Sequence, residues 1–414
     1  MIRNFFSLLL LALTPPAAAQ ESDWRLWRGP HGNNTTPVAA RPPLRWSETE
    51  NVRWKAAIPG RGVSSPIVVG DQVIVTTATE DGQFVLSYAR ADGSILWKER
   101  AHEGGLPAKL HRKNTAATPT PACDGETIYA AFHNTGRVVL TALNLKGERL
   151  WQQDAGAYEC DYGYGYAPSP TLFGDTVIVS AECLASGFLA AFRKSDGKKL
   201  WRTDRKVKTS YSSPIVARVG GRDQILLSGA TKVSGYDPAD GKLLWQIDGS
   251  CSATCGTMVW NEDTVFASGG FPNKETLAVR LGETPSVLWK NNDMSYEQSL
   301  LYHDGHLYTL NDGGIAVCWN AGTGEEKWKV RLGGPVSASP VLAGGRIYAM
   351  NERGIMHVFS PDPGGFTKLA ENTLGDEGFA TPAFAGNEVF LRTATNAGER
   401  KEWLYCLSED SREK

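Results

Sequence analysis

The chain has 414 residues, with 43 Lys and Arg, 45 Asp and Glu, and a formal net charge of −2. This balance leaves no basic excess, so composition argues against a protein that binds nucleic acid or anionic lipid. Its 44 glycines and 10% aromatic residues are typical of many short strands joined by tight turns.

The N-terminus has the pattern of a secretory signal peptide over residues 1–19. Arg3 precedes an apolar run, and three alanines at 17–19 follow it as a cleavage site. The run is shorter than the roughly 20 residues of a membrane-spanning helix, so no membrane span is expected. We divide the rest into an N-terminal extension (20–50), a single β-propeller domain (51–410) and a polar tail (411–414), and expect a periplasmic or secreted protein.

A repeat fills the rest of the chain. Each copy has an apolar strand, a Gly-Asp-type turn, a second strand, and an alternating strand that ends in Gly-x-x-x-Trp, as in PSPTLFGDTVIVSA followed by SDGKKLW. The repeated tryptophans lie at intervals of roughly 40–54 residues, close to the length of a four-stranded propeller blade: Trp97, Trp151, Trp201, Trp245, Trp289 and Trp328. The sequence therefore predicts an all-β, eight-bladed propeller.

The two ends of the chain complete one another in this scheme. The eighth copy begins at ATPAFAGNEVFLRT and stops after LYCLSE without an outer strand, while NVRWKA around Trp54 resembles an outer strand without a blade. We predict that the N-terminal strand completes the C-terminal blade, which removes the unpaired sheet edges of an open ring. Seven blades remain the alternative, because the fifth and seventh copies are blurred.

The outer corner of each copy resembles the tryptophan-docking motif of the quinoprotein, or PQQ-like, propellers, Ala-x-Asp-x-x-Thr-Gly-x-x-x-Trp. The best copies are VCWNAGTGEEKW and SGYDPADGKLLW, and the opening DWRLWRGPHGNN is similar to the start of many secreted bacterial propellers. The resemblance implies that the seven tryptophans, Trp54 included, pack between blades. That superfamily contains quinoprotein alcohol dehydrogenases and non-catalytic scaffolds such as the propeller lipoprotein of the barrel-assembly machinery, so the fold does not decide the function.

The residues of this chain favour a non-catalytic scaffold over a quinone-dependent enzyme. A quinone site needs groups for three carboxylates, a flat stacking partner and an oxygen-ligated Ca²⁺. The chain lacks the adjacent Cys-Cys pair of several dehydrogenases, and packing explains most of its tryptophans. We predict a non-catalytic binding or scaffolding propeller of the cell envelope or exterior, with no catalytic residue, metal or cofactor. The alternatives are a small PQQ-dependent oxidoreductase that uses calcium and a carbohydrate-binding propeller.

The candidate binding site is one mouth of the central channel. In a propeller the segments that precede the innermost strands converge there, and in this chain they are aromatic and partly cationic, which suits an envelope or secreted protein partner, or an acidic or sugar-like ligand. The set comprises Arg61, His111, Arg112, Lys113, Asn114, Tyr164, Tyr166, Tyr211, Tyr296 and Phe379. The alternative is that the Tyr-Gly-Tyr-Gly-Tyr stretch only packs a loop. A monomer is expected.

Seven cysteines cannot all pair within one molecule, so at least one is expected to be free. Cys160 and Cys183 lie in two loops that project from the same face, and we prefer a disulfide between them. Cys251 and Cys255 share one connection and form the second candidate pair. The others, Cys123, Cys318 and Cys406, are expected in the core.

Overall fold

The structure is a computed structural model that describes residues 23–37, 39–159, 162–183, 187–205 and 209–409. Within these ranges the strands form eight four-stranded antiparallel sheets, which confirms the predicted eight-bladed propeller. The proposed signal peptide, Cys160 and the polar tail lie outside the described residues. Across the described ranges, no helix has the length and apolar character needed to cross a membrane.

Blades 1 to 4 follow the chain, and the strands of each run in chain order from the innermost to the outermost. Blade 1 comprises Ile67–Val69, Gln72–Thr79, Gly82–Ala89 and Ile95–Glu103. Blade 2 comprises Ala122–Cys123, Thr127–Asn134, Arg137–Asn144 and Arg149–Ala157. Blade 3 comprises Thr171–Phe173, Thr176–Ala181, Phe188–Arg193 and Lys199–Asp204. Blade 4 comprises Ile215–Val219, Arg222–Gly229, Lys232–Tyr236 and Leu243–Asp248.

Blades 5 to 8 continue the ring in the same order. Blade 5 comprises Val259–Trp260, Thr264–Gly269, Glu275–Arg280 and Ser286–Asn291. Blade 6 comprises Leu301–His303, His306–Leu310, Ile315–Asn320 and Glu326–Arg331. Blade 7 comprises Val341–Ala343, Arg346–Met350, Ile355–Phe359 and Lys368–Thr373. Blade 8 comprises Ala383–Ala385, Glu388–Thr395, Lys401–Leu407 and, as its outermost strand, Val52–Ile58.

The core lies between the blades. The second and third strands, such as Gly82–Ala89, are buried almost throughout, whereas outermost strands such as Lys199–Asp204 alternate between exposed and half-buried residues. A strand covered on both faces needs a nearly continuous apolar run, which the sequence supplies in stretches such as VIVSA at 177–181. The innermost strands of neighbouring blades contact one another and so surround the channel.

The repeated tryptophans join each blade to the next. The Trp97 indole N–H of blade 1 donates to the Leu145 carbonyl of blade 2 at 2.9 Å, and Trp151 makes the equivalent bond to Lys194 at 2.8 Å. Gly147 lies against the Trp97 ring with a φ of +83°, and a Cβ at that position would come within 2.7 Å of the ring. Glycine is therefore needed both for the positive φ and for the close approach.

A ring of hydroxyl groups links the blades around the channel. The N–H of Ser65 donates to Thr120 Oγ1 at 2.8 Å, and the N–H of Thr120 donates to Ser169 Oγ at 3.0 Å. The same N–H to hydroxyl bond, at 2.9 Å, recurs at four more of the eight blade junctions. It joins Ser169 to Ser213, Thr257 to Ser299, Ser299 to Ser339, and Ser339 to Thr381. One hydroxyl residue per blade, just before the innermost strand, thus sets the spacing of the ring.

Ser299→Ala tests this ring. The substitution leaves the buried N–H of Thr257 without its acceptor, and we expect the free energy of unfolding to fall by about 1–2 kcal/mol. Urea unfolding followed by tryptophan fluorescence measures the loss. Ser94→Ala, on an exposed turn, is the control and should change stability little. An equal effect of the two substitutions would show that the ring bonds do not hold the blades together.

The N-terminal extension crosses the far end of the channel. Trp24 forms a bridge to Val68 in blade 1, the Arg25 carbonyl accepts the N–H of Cys123 in blade 2, and Thr35 bridges Leu342 in blade 7. Each of these strand residues follows its blade's ring hydroxyl by three positions, which places the extension beyond the ring. The opening Trp-x-x-Trp-Arg-Gly-Pro stretch therefore covers the channel end opposite the candidate mouth.

Candidate functional site

The channel widens into a cavity of about 520 Å³ on the face where the connections lead into the innermost strands. We call this cavity the funnel. Each blade contributes to its wall the residue two positions before its ring hydroxyl: Val63, Thr118, Ala167, Tyr211, Cys255, Glu297, Ser337 and Phe379. Because these side chains differ from blade to blade, the eightfold repeat produces an asymmetric wall.

Trp27 of the N-terminal extension lies at the funnel floor, and its indole N–H is 3.4 Å from Thr257 Oγ1. Behind it, Arg28 is fully buried and donates to the Gly32 and Leu300 carbonyls at 3.0 and 3.1 Å. Burial lowers the pKa of Arg28 to about 9. Arg28 does not line the funnel, but its guanidinium carbon lies 5.9 Å from the Trp27 ring centroid, so a buried cation packs against the aromatic floor.

Aromatic side chains dominate the outer wall. Tyr162 and Tyr164 stack with ring centroids 5.6 Å apart, and Tyr164 also contacts Tyr211 at 6.4 Å and the His111 ring at 5.2 Å. Tyr162 is 59% exposed, Tyr164 is 42% exposed, and Phe271 on the neighbouring side of the mouth is 61% exposed. Large aromatic residues this exposed around a cavity are typical of a binding surface.

The long connection at 104–121, between blades 1 and 2, forms part of this wall. Its Asn114 side-chain amide donates to the Tyr164 carbonyl at 2.7 Å. Leu110 packs closely against Gly165, whose φ is +93°. A Cβ added to this glycine would come within 2.7 Å of a Leu110 methyl group. Arg61 donates to the Arg112 carbonyl at 2.9 Å and so holds the other side of the connection.

Lys113 reaches from this connection to the opposite wall. Its Nζ lies 2.6 Å from Glu352 Oε1 and 3.0 and 3.1 Å from the two oxygens of Glu297. Ser337 Oγ lies between the carboxylates, 2.5 Å from Glu297 and 2.8 Å from Glu352. The two carboxylates hold the pKa of Lys113 above its ordinary value, although its partial burial acts in the opposite direction.

Seven of the ten predicted site residues line the funnel: His111, Lys113, Asn114, Tyr164, Tyr211, Tyr296 and Phe379. Arg61 and Arg112 lie beside the funnel, where the Arg61 guanidinium donates a hydrogen bond to the Arg112 carbonyl. Tyr166 does not line it, because the side chain is buried, packs on Tyr158 and donates to the Ser180 carbonyl at 2.8 Å. For this tyrosine the loop-packing alternative is the correct one.

Sequence reasoning missed the floor, Trp27, and the acidic side of the funnel, where Glu297 and Ser337 line the wall and Glu352 contacts Ser337 and Lys113. The signal for Glu297 and Ser337 was present, since both stand two positions before a ring hydroxyl, as do the predicted Tyr211 and Phe379. Glu352 comes from the turn between the second and third strands of blade 7, outside that register. Its role depends on a contact with a residue far away in the chain.

Cys251 and Cys255 are both free thiols, so the structure does not contain the proposed bridge between them. The side chains enter different surroundings: Cys251 Sγ donates to the Asn273 carbonyl, whereas Cys255 lines the funnel. Burial raises the pKa of the Cys255 thiol well above its usual range. Cys183 is buried in blade 3, and the proposed Cys160–Cys183 pair extends outside the described residues.

The funnel residues do not fit a quinone with its calcium ion. Lys113, a cation that faces the cavity, is already neutralised by Glu297 and Glu352, and those carboxylates would repel the three carboxylates of the quinone. Among the described residues there is no group of three His, Cys, Asp or Glu side chains placed to hold a metal ion. His102 packs on Phe132 at 5.7 Å and does not join His111.

Known proteins similar to this chain include an outer membrane protein assembly factor and a quinohemoprotein alcohol dehydrogenase. The outer membrane protein assembly factor BamB of Burkholderia pseudomallei (strain K96243) is 27% identical over 314 residues, which cover 74% of this chain. The chain spans 66% of that relative, a little under two thirds of its length.

Solved structures support the fold alone at these identities. The crystal structure of BamB from Moraxella catarrhalis matches with a TM-score of 0.60 at 17% identity, covering 84% of this chain and 95% of the other. Quinohemoprotein alcohol dehydrogenase ADHIIG from Pseudomonas putida HK5 matches with a TM-score of 0.63 at 12% identity, covering 95% and 81%.

The family model described as outer membrane protein assembly factor BamB matches residues 44–161, 157–303 and 274–365, which together make up most of the chain. These segments contain the tryptophan corners of blades 1 to 6 and the ring hydroxyls of blades 1 to 7. The chain therefore belongs to the BamB family of PQQ-like propellers.

Proposed function

We propose that the chain is a non-catalytic binding propeller of the cell envelope that holds an extended segment of a protein partner in the funnel. The observation that carries this proposal is the combination of a cavity of about 520 Å³ with exposed tyrosine and phenylalanine side chains at its mouth. Membership of a family described by an outer membrane assembly factor, and the signal-like start of the sequence, support the envelope location.

The shape of the site favours an extended segment over a flat protein surface. The mouth is a concave opening whose wall and floor are both aromatic, so a partner buries most apolar area by inserting a chain rather than by lying across the rim. Tyr162, Tyr164 and Tyr211 offer rigid rings with polar tips. Such side chains bury a large area at a low cost in conformational entropy.

The chemistry of the funnel favours binding over catalysis. Lys113 is bound to Glu297 and Glu352, and the Asn114 amide is engaged in holding the Tyr164 loop. The raised pKa of Cys255 keeps its thiol protonated near neutral pH, which makes it a poor nucleophile. These groups position walls and loops, and none of them is arranged as a nucleophile beside a general base.

Site-specific photo-crosslinking in a bacterial envelope tests the proposal. A benzophenone amino acid replaces Tyr162 or Phe271 at the mouth, and in a matched control it replaces Leu96, an exposed residue on the outer strand of blade 1. We expect both mouth positions to label one short stretch of the same envelope protein, and Tyr211→Ala to reduce that labelling. The control should not label it.

Two results would overturn the proposal. The first is labelling that is as strong at the Leu96 position as at the mouth. The second is saturable binding of pyrroloquinoline quinone and Ca²⁺ with turnover of simple alcohols, which would restore the oxidoreductase alternative. The two experiments need only the crosslinking strain and the purified protein.

A further inference from the structure

The acidic side of the funnel already contains a cation supplied by the protein itself. Lys113 is fixed to a connection of blade 2, whereas Glu297 precedes blade 6 and Glu352 lies in blade 7. Blades 2 and 6 are opposite one another in a ring of eight. The lysine therefore extends across the channel to reach the carboxylates, and it occupies part of the cavity that a ligand would enter.

The charges on this side do not balance. One ammonium group faces two carboxylates, and the Ser337 hydroxyl has a single proton to donate between them. Asp312 lies next to them and accepts the Tyr296 N–H at 2.9 Å. Burial raises the pKa of Asp312, and the charge of Glu297 raises it further, as expected where negative charge is in excess.

The remaining wall is also suited to a cation. Tyr164, Tyr211, Tyr296 and Phe379 line the same cavity as Glu297, and aromatic faces attract cations through their quadrupoles. A cationic group that enters the funnel therefore meets carboxylates on one side and aromatic rings on the others. An acidic ligand would instead be repelled by the carboxylates.

We propose that the Glu297–Glu352 pair anchors a lysine or arginine side chain of the partner's extended segment, and that Lys113 occupies this anchor in the free protein. The inference rests on the proposed function and names the side chain that the funnel selects. Arginine suits the pair better than lysine, because its planar fork can donate to both carboxylates at once. Binding then displaces Lys113 and frees the connection at 104–121 from the opposite wall.

The test uses two synthetic peptides, acetyl-Ser-Tyr-Arg-Tyr-Ser-amide and the same peptide with citrulline in place of arginine, and isothermal titration calorimetry. Citrulline keeps the shape of arginine and removes its charge. We expect Lys113→Met to bind the arginine peptide about tenfold more tightly than the wild-type protein does, because the competing ammonium is gone. Lys109→Met, on the same connection, should leave the affinity unchanged.

A second substitution assigns the effect to the carboxylates. Glu352→Gln in the Lys113→Met background should remove the preference for arginine over citrulline. The wild-type protein gives an independent measurement, since its own preference for the arginine peptide should weaken as salt is raised. This second measurement keeps the inference testable if Lys113→Met does not fold.

Equal binding of the two peptides by the wild-type protein and by Lys113→Met would overturn the inference. A preference for arginine that survives Glu352→Gln would overturn the assignment to this pair. Neither result affects crosslinking at Tyr162 and Phe271. The proposal that the funnel binds a partner segment would therefore remain, while the proposal that it selects a cationic side chain would be rejected. Loss of labelling at the mouth, in contrast, would remove the proposed function as well.

Discussion

Replacing Glu402 with glutamine is expected to lower the free energy of unfolding by about 3–5 kcal/mol, the usual cost of removing one partner from a buried ion pair. Glu402, in the third strand of blade 8, is 2% exposed and accepts Arg392 Nε at 3.0 Å and Arg400 Nη1 at 2.8 Å. Arg392 is 3% exposed. Glutamine would leave this buried guanidinium without its counter-charge.

The pair lies at the seam where the ring closes. Arg392 of blade 8 also donates to the Thr76 carbonyl at 2.9 Å and to Ser64 Oγ at 3.0 Å, both in or before blade 1. Glu402 in turn accepts the N–H of Gly62 at 3.1 Å. Residues more than 300 positions apart are thus joined through one buried charge pair, so a substitution there should weaken the closure as well as the blade.

Urea unfolding followed by tryptophan fluorescence measures the loss. Asp196→Asn is the matched control, because it removes a carboxylate from the exposed Arg193–Asp196 pair and should cost no more than about 1 kcal/mol. Replacing both Arg392 and Glu402 with methionine should cost less than Glu402→Gln alone, since no charge of the pair remains buried. If Glu402→Gln lowered the free energy of unfolding no more than the control does, the Arg392–Glu402 pair would not be what stabilises the closure of the ring.

The blade count and the ring closure could be predicted because their causes are local in sequence and recur. Gly147 and Trp97 show why: the tryptophan packs on a glycine of positive φ in the next blade, and the same pairing recurs where Gly197 meets Trp151 and Gly241 meets Trp201. There is also a physical reason why the fifth copy of the repeat is hard to recognise in the sequence. Its corner has Pro285 where blades 1 to 4 and blade 6 have glycine, and Trp245 of blade 4 donates instead to Gln224 within its own blade, at 2.6 Å.

The aromatic half of the funnel could also be predicted, because Tyr211 and Phe379 lie in the segments that lead into innermost strands, four positions before Ile215 and Ala383. The acidic half could not. Lys113 was interpreted as a cation available to a ligand, whereas the fold pairs it with Glu297 and Glu352, which lie 184 and 239 positions further along the chain. A repeat fixes which positions meet at the channel, but it does not reveal which charges neutralise one another across it.

A chain that begins at Pro59, and so lacks the outermost strand of blade 8, is expected to lose most of its stability. That strand buries Trp54, whose ring lies 6.0 Å from Phe390 and whose indole N–H donates to the Arg90 carbonyl at 2.9 Å. It also buries Ile58. Losing the two side chains costs about 5–10 kcal/mol, against a total stability of about 5–15 kcal/mol for a folded domain.

The deletion also creates a free sheet edge. The strand Lys401–Leu407 would lose the strand that now pairs with it, from the pairing of Val52 with Leu407 to the pairing of Ile58 with Glu402. Exposed edges of this kind pair with other chains, so we expect the shortened protein to self-associate. Light scattering after size-exclusion chromatography would detect this, and a synthetic peptide of residues 44–60 should restore the monomer by filling the vacant edge.

Two longer chains separate the contribution of this strand from that of the channel-crossing extension. A chain that begins at Asp23 keeps both and should match the full chain in stability, whereas one that begins at Leu44 keeps the strand but loses the Trp24–Val68 and Thr35–Leu342 bridges. The Leu44 chain should remain monomeric, with an intermediate stability, because its ring is still closed. If it self-associated as strongly as the Pro59 chain, the extension and not the eighth outer strand would be what keeps the propeller closed.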